Sequence, residues 1–572
     1  MIGEPVIPPT RVPRQPYLRP SARKGAAVRL DGNEGRLPAA DAWDAFGHAT
    51  TLLLRDYPSA ASLEARLAAR FGVTPESVVV TAGADDALDR CCRAFLEPGR
   101  EIVVPIPTFE MLYRFVAMAG GDVVTTEWRD RFPVDDVIAR IGPNTALVAI
   151  ISPNNPTGTV AAAEDLRRIA AAAEGALVLL DHAYVEYADA DLTAPALQLP
   201  NVIVLRTFSK AWGLAGCRVG YLIAHPEVAA ILRSAGNPYP VSALSLRVVC
   251  DQLMRGESAL TDHVTAIRAN RSALVSLLGR EGISVRPSQG NFVFADVPGR
   301  AEFVFEALRF AGVLVRYFPH RAEIAEGLRI TVPERDEEME ALRRAVALCT
   351  RPEAIVLDLD GVIADVEDSY RRCVIETAAE FGCTVTRGEI EGLTHDGDAN
   401  NDWVLTQRIL ERRGVRADLD DIIVRYQRHY EGTTDRAGLR ENERLIADRR
   451  TIVWLASRVP LAVVTGRPRS EAQWFLDRFE LTPLVRESVC LGEAVSKPDP
   501  APVALALDKL SVRRAWMVGD TPDDMRAAAG AGVLPIGVVA PGDDAARTAP
   551  VLRREGAVTV LDTLDDLKRL MT

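Results

Sequence analysis

The sequence predicts an α/β protein built as two α/β units in succession, and three observations carry that expectation. Short apolar runs alternate with amphipathic stretches along most of the 572 residues, the pattern of parallel sheets covered by helices on both faces. The alternation gives way near residue 264 to one long helical pattern and then restarts at "PEAIVLDLDG", 352–361. A mostly helical stretch over 368–458 interrupts the second run after its first strand.

Along the chain, strands are expected over 78–81, 101–105, 146–152, 176–181, 202–206 and 218–224, with helices between them such as 84–96 and 161–173. After the long helix come short strands around 291–295 and 328–331 and a helix over 334–349, which predicts a smaller second domain. The polar joint "TRPE", 350–353, separates residues 1–350 from 351–572. In the second part, strands are expected over 354–360, 461–465, 488–491, 515–519 and 533–539.

Length allows roughly three to five domains and more than one core. The chain is 48% hydrophobic and 26% charged, ordinary for a globular enzyme. Its net charge of −12 excludes a general basic surface for nucleic acid. Anionic substrates would have to be held by local cations against the overall field. The eight cysteines form no C-x-x-C pair and fit a reducing cytoplasm, and the seven histidines show no metal-ligand spacing. The proline-rich, charged N-terminus does not read as a signal peptide, and no run of 18 apolar residues predicts a membrane span.

In the first half, Lys210 of "RTFSKAWGLAGCRVGY" follows a buried-strand pattern. A lone lysine there usually sits on a surface turn. The sharper reading is a Schiff-base lysine in a desolvated site. Four companions favour it. "SPNNPTGT" (152–159) can present Asn155 to a ring hydroxyl. "LLDHAY" (179–184) ends an apolar strand at Asp181, where a carboxylate could pair with a pyridinium nitrogen. "TAGADDAL" (81–88) is a strand, a glycine turn and a helix start with free N–H groups for phosphate. Arg218 supplies a nearby cation.

In this order the set resembles the pyridoxal-phosphate-dependent, fold-type I aminotransferases of classes I and II, over about 17–349. More narrowly it is similar to the histidinol-phosphate aminotransferases, through "RLDGNEG" (29–35), "PTFEMLY" (107–113), "QGNFVFAD" (289–296), "GVLVRYF" (312–318) and "GLRITV" (327–332). The resemblance implies a large domain over about 40–260 and a small one from about 1–39 and 261–350. It implies Lys210 as the Schiff-base lysine, Asp181 on the ring nitrogen, Asn155 and Tyr184 on the ring oxygen, and Phe109 stacked on the ring. Ala84, Asp85, Ser209 and Arg218 would surround the cofactor phosphate, with Tyr57 reaching in from a second subunit of a homodimer. Tyr17, Asn33, Arg316 and Arg329 would hold substrate; outside that setting the two arginines read as surface ion pairs. Three departures stand out: His182 replaces an acid, "NEGRLP" replaces an "NENPFG"-like stretch, and Phe109 replaces tyrosine.

In the second half, Asp358 and Asp360 close an apolar run. A bare D-x-D reads as a solvated acidic turn, or as a pair that needs a divalent cation. Later motifs favour the cation: Thr465 in "AVVTGRP", Lys497 in "SKPDP", and Asp520 and Asp524 in "WMVGDTPDDM". A nucleophilic carboxylate, a cation and a lysine together suit in-line phosphoryl transfer.

These four motifs resemble the haloacid dehalogenase superfamily of phosphohydrolases, over about 353–570. The resemblance implies a Rossmann-like core with a helical cap at about 368–458. Asp358 would be the nucleophile and Asp360 the acid and base. Thr465 and Lys497 would hold phosphate, and Asp358, Asp360 (through its carbonyl), Asp520 and Asp524 would attend Mg²⁺. In the cap, "HDGDANNDW" (395–403) reads either as a substrate-reading loop or as a capped helix start.

The two likenesses together imply a bifunctional cytoplasmic enzyme. Imidazole-acetol phosphate and glutamate would give histidinol phosphate, and a phosphatase would release histidinol. Another keto-phosphate, or a phosphatase unrelated to the first half's product, remains open.

Overall fold

A computed structural model describes residues 27–36, 52–396 and 401–571. These divide into two compact units, one drawn from Met1–Ala301 and Val313–Arg343, the other from Glu302–Gly312 and Arg344–Thr572. Tyr17 and residues 397–400 of the cap stretch lie outside the described residues.

The first unit contains a seven-stranded sheet in the order Val78–Thr81, Gly220–Ile223, Val202–Thr207, Leu177–Asp181, Thr145–Ile151, Glu101–Ile106, Asp122–Glu127. Thr145–Ile151 and Val202–Thr207 are buried along their whole length and Leu177–Asp181 beyond its first residue, which explains their unbroken apolar runs. All neighbours are parallel except Gly220–Ile223, which runs antiparallel to both of its partners. The sheet is therefore mixed. The cause is the short connection 208–219, which carries no crossover helix and so returns the chain alongside in the opposite sense.

Parallel registry decides where the chemistry falls. Ile151 pairs with Asp181, and Asp181 with Leu205. The segments that follow these strands, with Asn155, Tyr184 and Lys210, thus leave from one edge of the sheet, where open α/β sheets place ligands. On that side the helix Ala84–Phe95 starts after Gly83, whose φ of 85° is a left-handed conformation that glycine tolerates best.

A four-stranded antiparallel sheet, Arg316–Tyr317, Gly327–Thr331, Phe292–Asp296 and Ser284–Val285, forms a smaller layer beside the helix Glu257–Arg280. Val28–Arg29 pairs in parallel with Val313–Leu314, tying this early segment to the late one.

The second unit centres on six parallel strands in the order Val485–Val489, Leu461–Val464, Ala354–Leu357, Ala515–Gly519, Leu534–Val538, Thr559–Leu561. The first of these in sequence lies in the middle, so Asp358, Thr465 and Asp520 follow three adjacent strands. That strand ends at Leu357 and not at 360, which puts Asp360 in the loop beyond the pleat. The insertion holds the helices Tyr370–Glu380, Arg387–Asp396, Asp402–Arg412 and Leu419–Glu431. The pair Ala364–Asp365 and Arg444–Leu445 joins its two ends.

Gly220 tests the packing behind the first edge. A Cβ there would lie 2.5 Å from Gly83 C and 2.8 Å from Ala84 N, both backbone atoms. Gly220→Ala is expected to cost about 1–3 kcal/mol through overpacking, read as a lower urea midpoint by tryptophan fluorescence. An unchanged midpoint would contradict this contact.

Candidate active sites

The first unit holds a cavity of about 500 Å³ at the carboxyl edge of its large sheet. Ala84, Asp85, Phe109, Asn155, Asp181, Tyr184, Ser209, Lys210, Arg218, Arg316 and Arg329 all line it, so motifs far apart in the chain meet in one place. Lys210 Nζ lies 5.4 Å from the centre of the Tyr184 ring. Arg329 is buried and organises one wall. It donates to Asn155 Oδ1 at 2.8 Å and to the Asp31 carbonyl at 2.7 Å. With the Asn33 amide oriented to donate to Thr331 Oγ1, its oxygen accepts from Arg329 Nε at 3.2 Å.

At the phosphate-type end, Arg218 NH1 lies 3.4 Å from Ser209 Oγ, and Arg218 NH2 lies 3.3 Å from Asp85 Oδ2. The helix start at Ala84 adds N–H groups directed out of the helix. A Cβ on Gly83 would come within 2.8 Å of Arg218 NH2, so any larger residue in this left-handed turn would displace that guanidinium.

Asp181 is the electrostatic centre. It is buried, accepts a hydrogen bond from the Ala183 N–H at 3.0 Å, and is pushed up to about 7, chiefly by burial. Lys210 opposes the shift only weakly. A cationic ring nitrogen would supply the partner that the site lacks, so these residues fit a pyridoxal-type group. His182 points away from such a role. Its Nδ1 is 2.5 Å from the Ser152 carbonyl, and burial lowers it to about 4, leaving it neutral.

Two expected residues stand apart. Tyr17 lies outside the described residues. Tyr57 does not line the cavity; it is 80% exposed and stacks on Tyr239 at 4.5 Å. Asn33 packs behind the wall through Arg329. The motif reading passed over Glu110, which pairs with Arg316 at 3.0 Å, and Arg321, which donates to the Thr108 carbonyl at 2.7 Å. Glu110 sits beside Phe109 in "PTFEMLY", and adjacency to a ring-stacking residue was the available signal.

The second unit gathers its aspartates at the ends of its central strands. Carboxylate oxygens of Asp358, Asp520 and Asp524 lie within 4.8 Å of one another. Lys497 Nζ lies 3.0 Å from Asp358 Oδ1 and 2.5 Å from Asp524 Oδ1. Asp524 Oδ2 accepts from the Thr521 N–H and hydroxyl, closing a capping box that fixes its rotamer. Thr465 is buried beside them, its hydroxyl accepting from the Arg467 N–H at 3.1 Å.

The carboxylate of Asp360 does not join this cluster. Its Oδ1 accepts from Arg467 Nε at 2.8 Å and NH2 at 2.6 Å. Arg467 is fully buried, and its NH1 donates to Tyr430 and Glu443 of the insertion. The motif reading treated "TGRP" as a phosphate turn and missed this arginine.

Lys497 pairs with Asp358 and Asp524 but not with Asp520, on which Arg371 is the cation that acts. Burial pushes Asp358 up to about 7 against the pull of Lys497. Burial, with Asp524 and Asp358 close by, raises Asp520 well above the carboxylate range. Lys497 is held above its ordinary value: burial works against its charge, but Asp358 and Asp524 outweigh it. Asp520 Oδ1 is buried without a hydrogen-bond partner. A divalent cation would satisfy all three acids, so the donor set fits a hard oxygen-ligated metal.

Comparison with known proteins agrees with both geometries. Residues 31–346 match the family model for aminotransferase class I and II, and 352–532 match that for haloacid dehalogenase-like hydrolases. The histidinol-phosphate aminotransferase of Stenotrophomonas maltophilia is 36% identical over 359 residues, 58% of this chain and 96% of that protein. Histidinol-phosphate aminotransferase 1 of Trichormus variabilis is 32% identical over 329 residues, 56% of this chain and 91% of that one. The crystal structure of the Sinorhizobium meliloti histidinol-phosphate aminotransferase with pyridoxal-5'-phosphate superposes with a TM-score of 0.52 at 28% identity, covering 56% of this chain and 90% of that one. Among the described residues no helix is long and apolar enough to cross a membrane.

Asp181 has an ordinary value of 3.8 and a folded value of about 7, so the fold favours its protonated form. That stabilisation is complete below 3.8 and is lost as pH rises to about 7. Cofactor-free protein is expected to lose stability relative to Asp181→Asn across this window, with a slope near about 1.4 kcal/mol per pH unit. Urea midpoints at successive pH values measure it, and parallel profiles would refute it. In the second unit, a Cβ on Gly361 would lie 2.1 Å from Asp520 Oδ2. Gly361→Ala is expected to weaken Mn²⁺ binding by about 10–100-fold, as read by calorimetry; unaltered affinity would remove Asp520 from the site.

Proposed function

The chain belongs to the class I and II aminotransferases and carries a haloacid dehalogenase-like hydrolase domain, and on that premise we propose that it catalyses two consecutive steps of histidine synthesis. The first unit would convert imidazole-acetol phosphate and glutamate to histidinol phosphate and 2-oxoglutarate. The second would hydrolyse histidinol phosphate to histidinol. The observation that carries the reading is the pairing, in one chain, of an arginine-lined aminotransferase cavity with a phosphatase-type acid cluster. The likeness to histidinol-phosphate aminotransferases over nearly their whole length supports the substrate.

Pyridoxal phosphate, when bound, supplies an electron sink conjugated to the substrate carbon. Lys210 Nζ would take the proton from that carbon and carry it to the other carbon centre of the exchange, so that amine becomes ketone and, in the second half-reaction, ketone becomes amine. Asp181 would hold the ring nitrogen, Asn155 and Tyr184 the ring oxygen, and Phe109 would cover the ring. Ala84, Asp85, Ser209 and Arg218 would hold the cofactor phosphate. Arg316 and Arg329, with Tyr17, would bind the substrate's anionic groups, and Asn33, packed behind the wall, would hold Arg329 in place. Tyr57, exposed away from its own cavity, completes the site of a second copy in a homodimer.

Mg²⁺, held by Asp358, the Asp360 carbonyl and Asp520 with Asp524 behind them, would offset charge on the substrate phosphate. Asp358 attacks phosphorus; the Asp358–phosphorus bond forms as the ester P–O bond breaks. Asp360, oriented by Arg467, protonates the leaving alkoxide. It then takes a proton from the water that attacks phosphorus, releasing inorganic phosphate and free Asp358. Thr465 and Lys497 hold the phosphoryl oxygens throughout.

A second reading keeps both chemistries on a different keto-phosphate. The Arg316–Glu110 pair favours it, because a carboxylate already occupies one substrate cation.

The test is Mg²⁺-dependent phosphate release from L-histidinol phosphate by the full-length protein, expected to stop with EDTA. Hydrolysis of a generic ester without release from histidinol phosphate would transfer the function to the second reading. Lys210→Ala is expected to lower transamination, and Asp358→Asn phosphate release, by about 10³-fold or more.

A further inference from the structure

We propose that Asp402, on the insertion, is the residue with which the phosphatase cavity recognises a substrate ammonium, so that phosphate monoesters carrying an amine beside the ester carbon are preferred over uncharged ones. The inference deepens the proposed reading of the second unit and rests on its being a phosphatase.

Four carboxylates line this cavity: Asp358, Asp360, Asp402 and Asp520. Three have partners or a shared task. Asp358 lies against Lys497, Asp360 is held by Arg467, and Asp520 belongs to the acid cluster with Asp358 and Asp524. The lining cation Arg371 is paired with Asp543 at 2.7 Å. Asp402 is left over. Its Oδ2 accepts from the Tyr426 hydroxyl at 3.2 Å, and among the described residues it enters no ion pair.

Local structure does not account for it. Asp402 opens the helix Asp402–Arg412, where an acid is favoured by the helix dipole. Yet the capping is done by Asn401, whose side chain accepts from the Trp403 and Val404 N–H groups. The Asp402 carboxylate lines the cavity instead of capping the helix. Burial, with Asp360 close by, raises Asp402 to about 7 although the Tyr426 hydroxyl, Arg371 and Arg467 pull the other way, and a cation from the substrate would favour its charged form.

The same charge discriminates. The phosphate of any substrate is dianionic and gains nothing from a nearby acid, so an ester without a cation meets repulsion. A transaminase acting on a ketone beside a phosphate ester makes an ammonium at that carbon. The ketone and the amine then carry the same phosphate and differ in one charge. A residue that demands the charge would spare the first unit's substrate from hydrolysis and pass only its product.

The experiment compares kcat/KM for O-phosphoethanolamine and ethyl phosphate in the full-length protein with Mg²⁺. The wild-type ratio is expected to exceed about 10, and Asp402→Asn to lower it by about 10–100-fold, the loss of a charge-assisted hydrogen bond. A wild-type ratio near one overturns the proposal whether or not the variant folds. A variant that slows both esters equally also overturns it, since that is the mark of a structural role. A high ratio that collapses in Asp402→Asn, with no turnover of L-histidinol phosphate, sustains this inference while refuting the histidine reading.

Discussion

A carboxylate at the carboxyl end of a buried strand is the constraint on which both units depend. Asp181 follows the apolar run of Leu177–Asp181, and Asp358 and Asp520 follow Ala354–Leu357 and Ala515–Gly519. Each is lifted far from the ordinary carboxylate range, mainly by burial. The sheets that place these acids also withhold water from them. What the fold leaves uncompensated, a cationic ring nitrogen or a divalent metal would complete, so stability is given up where binding needs it.

Sheet topology converts that constraint into two sites. Parallel strands present their ends on one edge, and the residues just beyond them converge without any element bending toward its partner. Glycines hold the approach open. Gly220 lets its strand lie against the Gly83 turn, and Gly361 leaves room for Asp520 Oδ2. Arg467 adds a further level in the second unit: one buried guanidinium joins Asp360 to Glu443 and Tyr430, so the loop acid and the insertion share one ionic network.

Much of this was legible before any coordinates. The central strands were expected within a residue or two of where they lie, because a strand buried on both faces must be an unbroken apolar run. Asp122–Glu127 is not legible as a strand, since DVVTTE on an edge is half exposed and carries only two apolar residues. Thr559–Leu561, also at an edge, is three residues long, too short for a period to show. The run at 354–360 reads as one strand, yet the strand ends at Leu357, and Asp360 in the loop beyond it pairs with Arg467.

The sequence by itself determined the alternation of elements, the succession of two chemistries, and the residue types each chemistry requires, since periodicity and strand-end motifs are local properties of the chain. Tertiary structure alone decided which charges find partners. Nothing in "PTFEMLY" says that Glu110 meets Arg316, nothing in "TGRP" says that Arg467 holds Asp360, and nothing in "NNDW" says that Asp402 lines the cavity of Asp358. Those pairings join residues far apart in the chain, and their energies depend on distance and burial, which exist only once the strands and helices have packed.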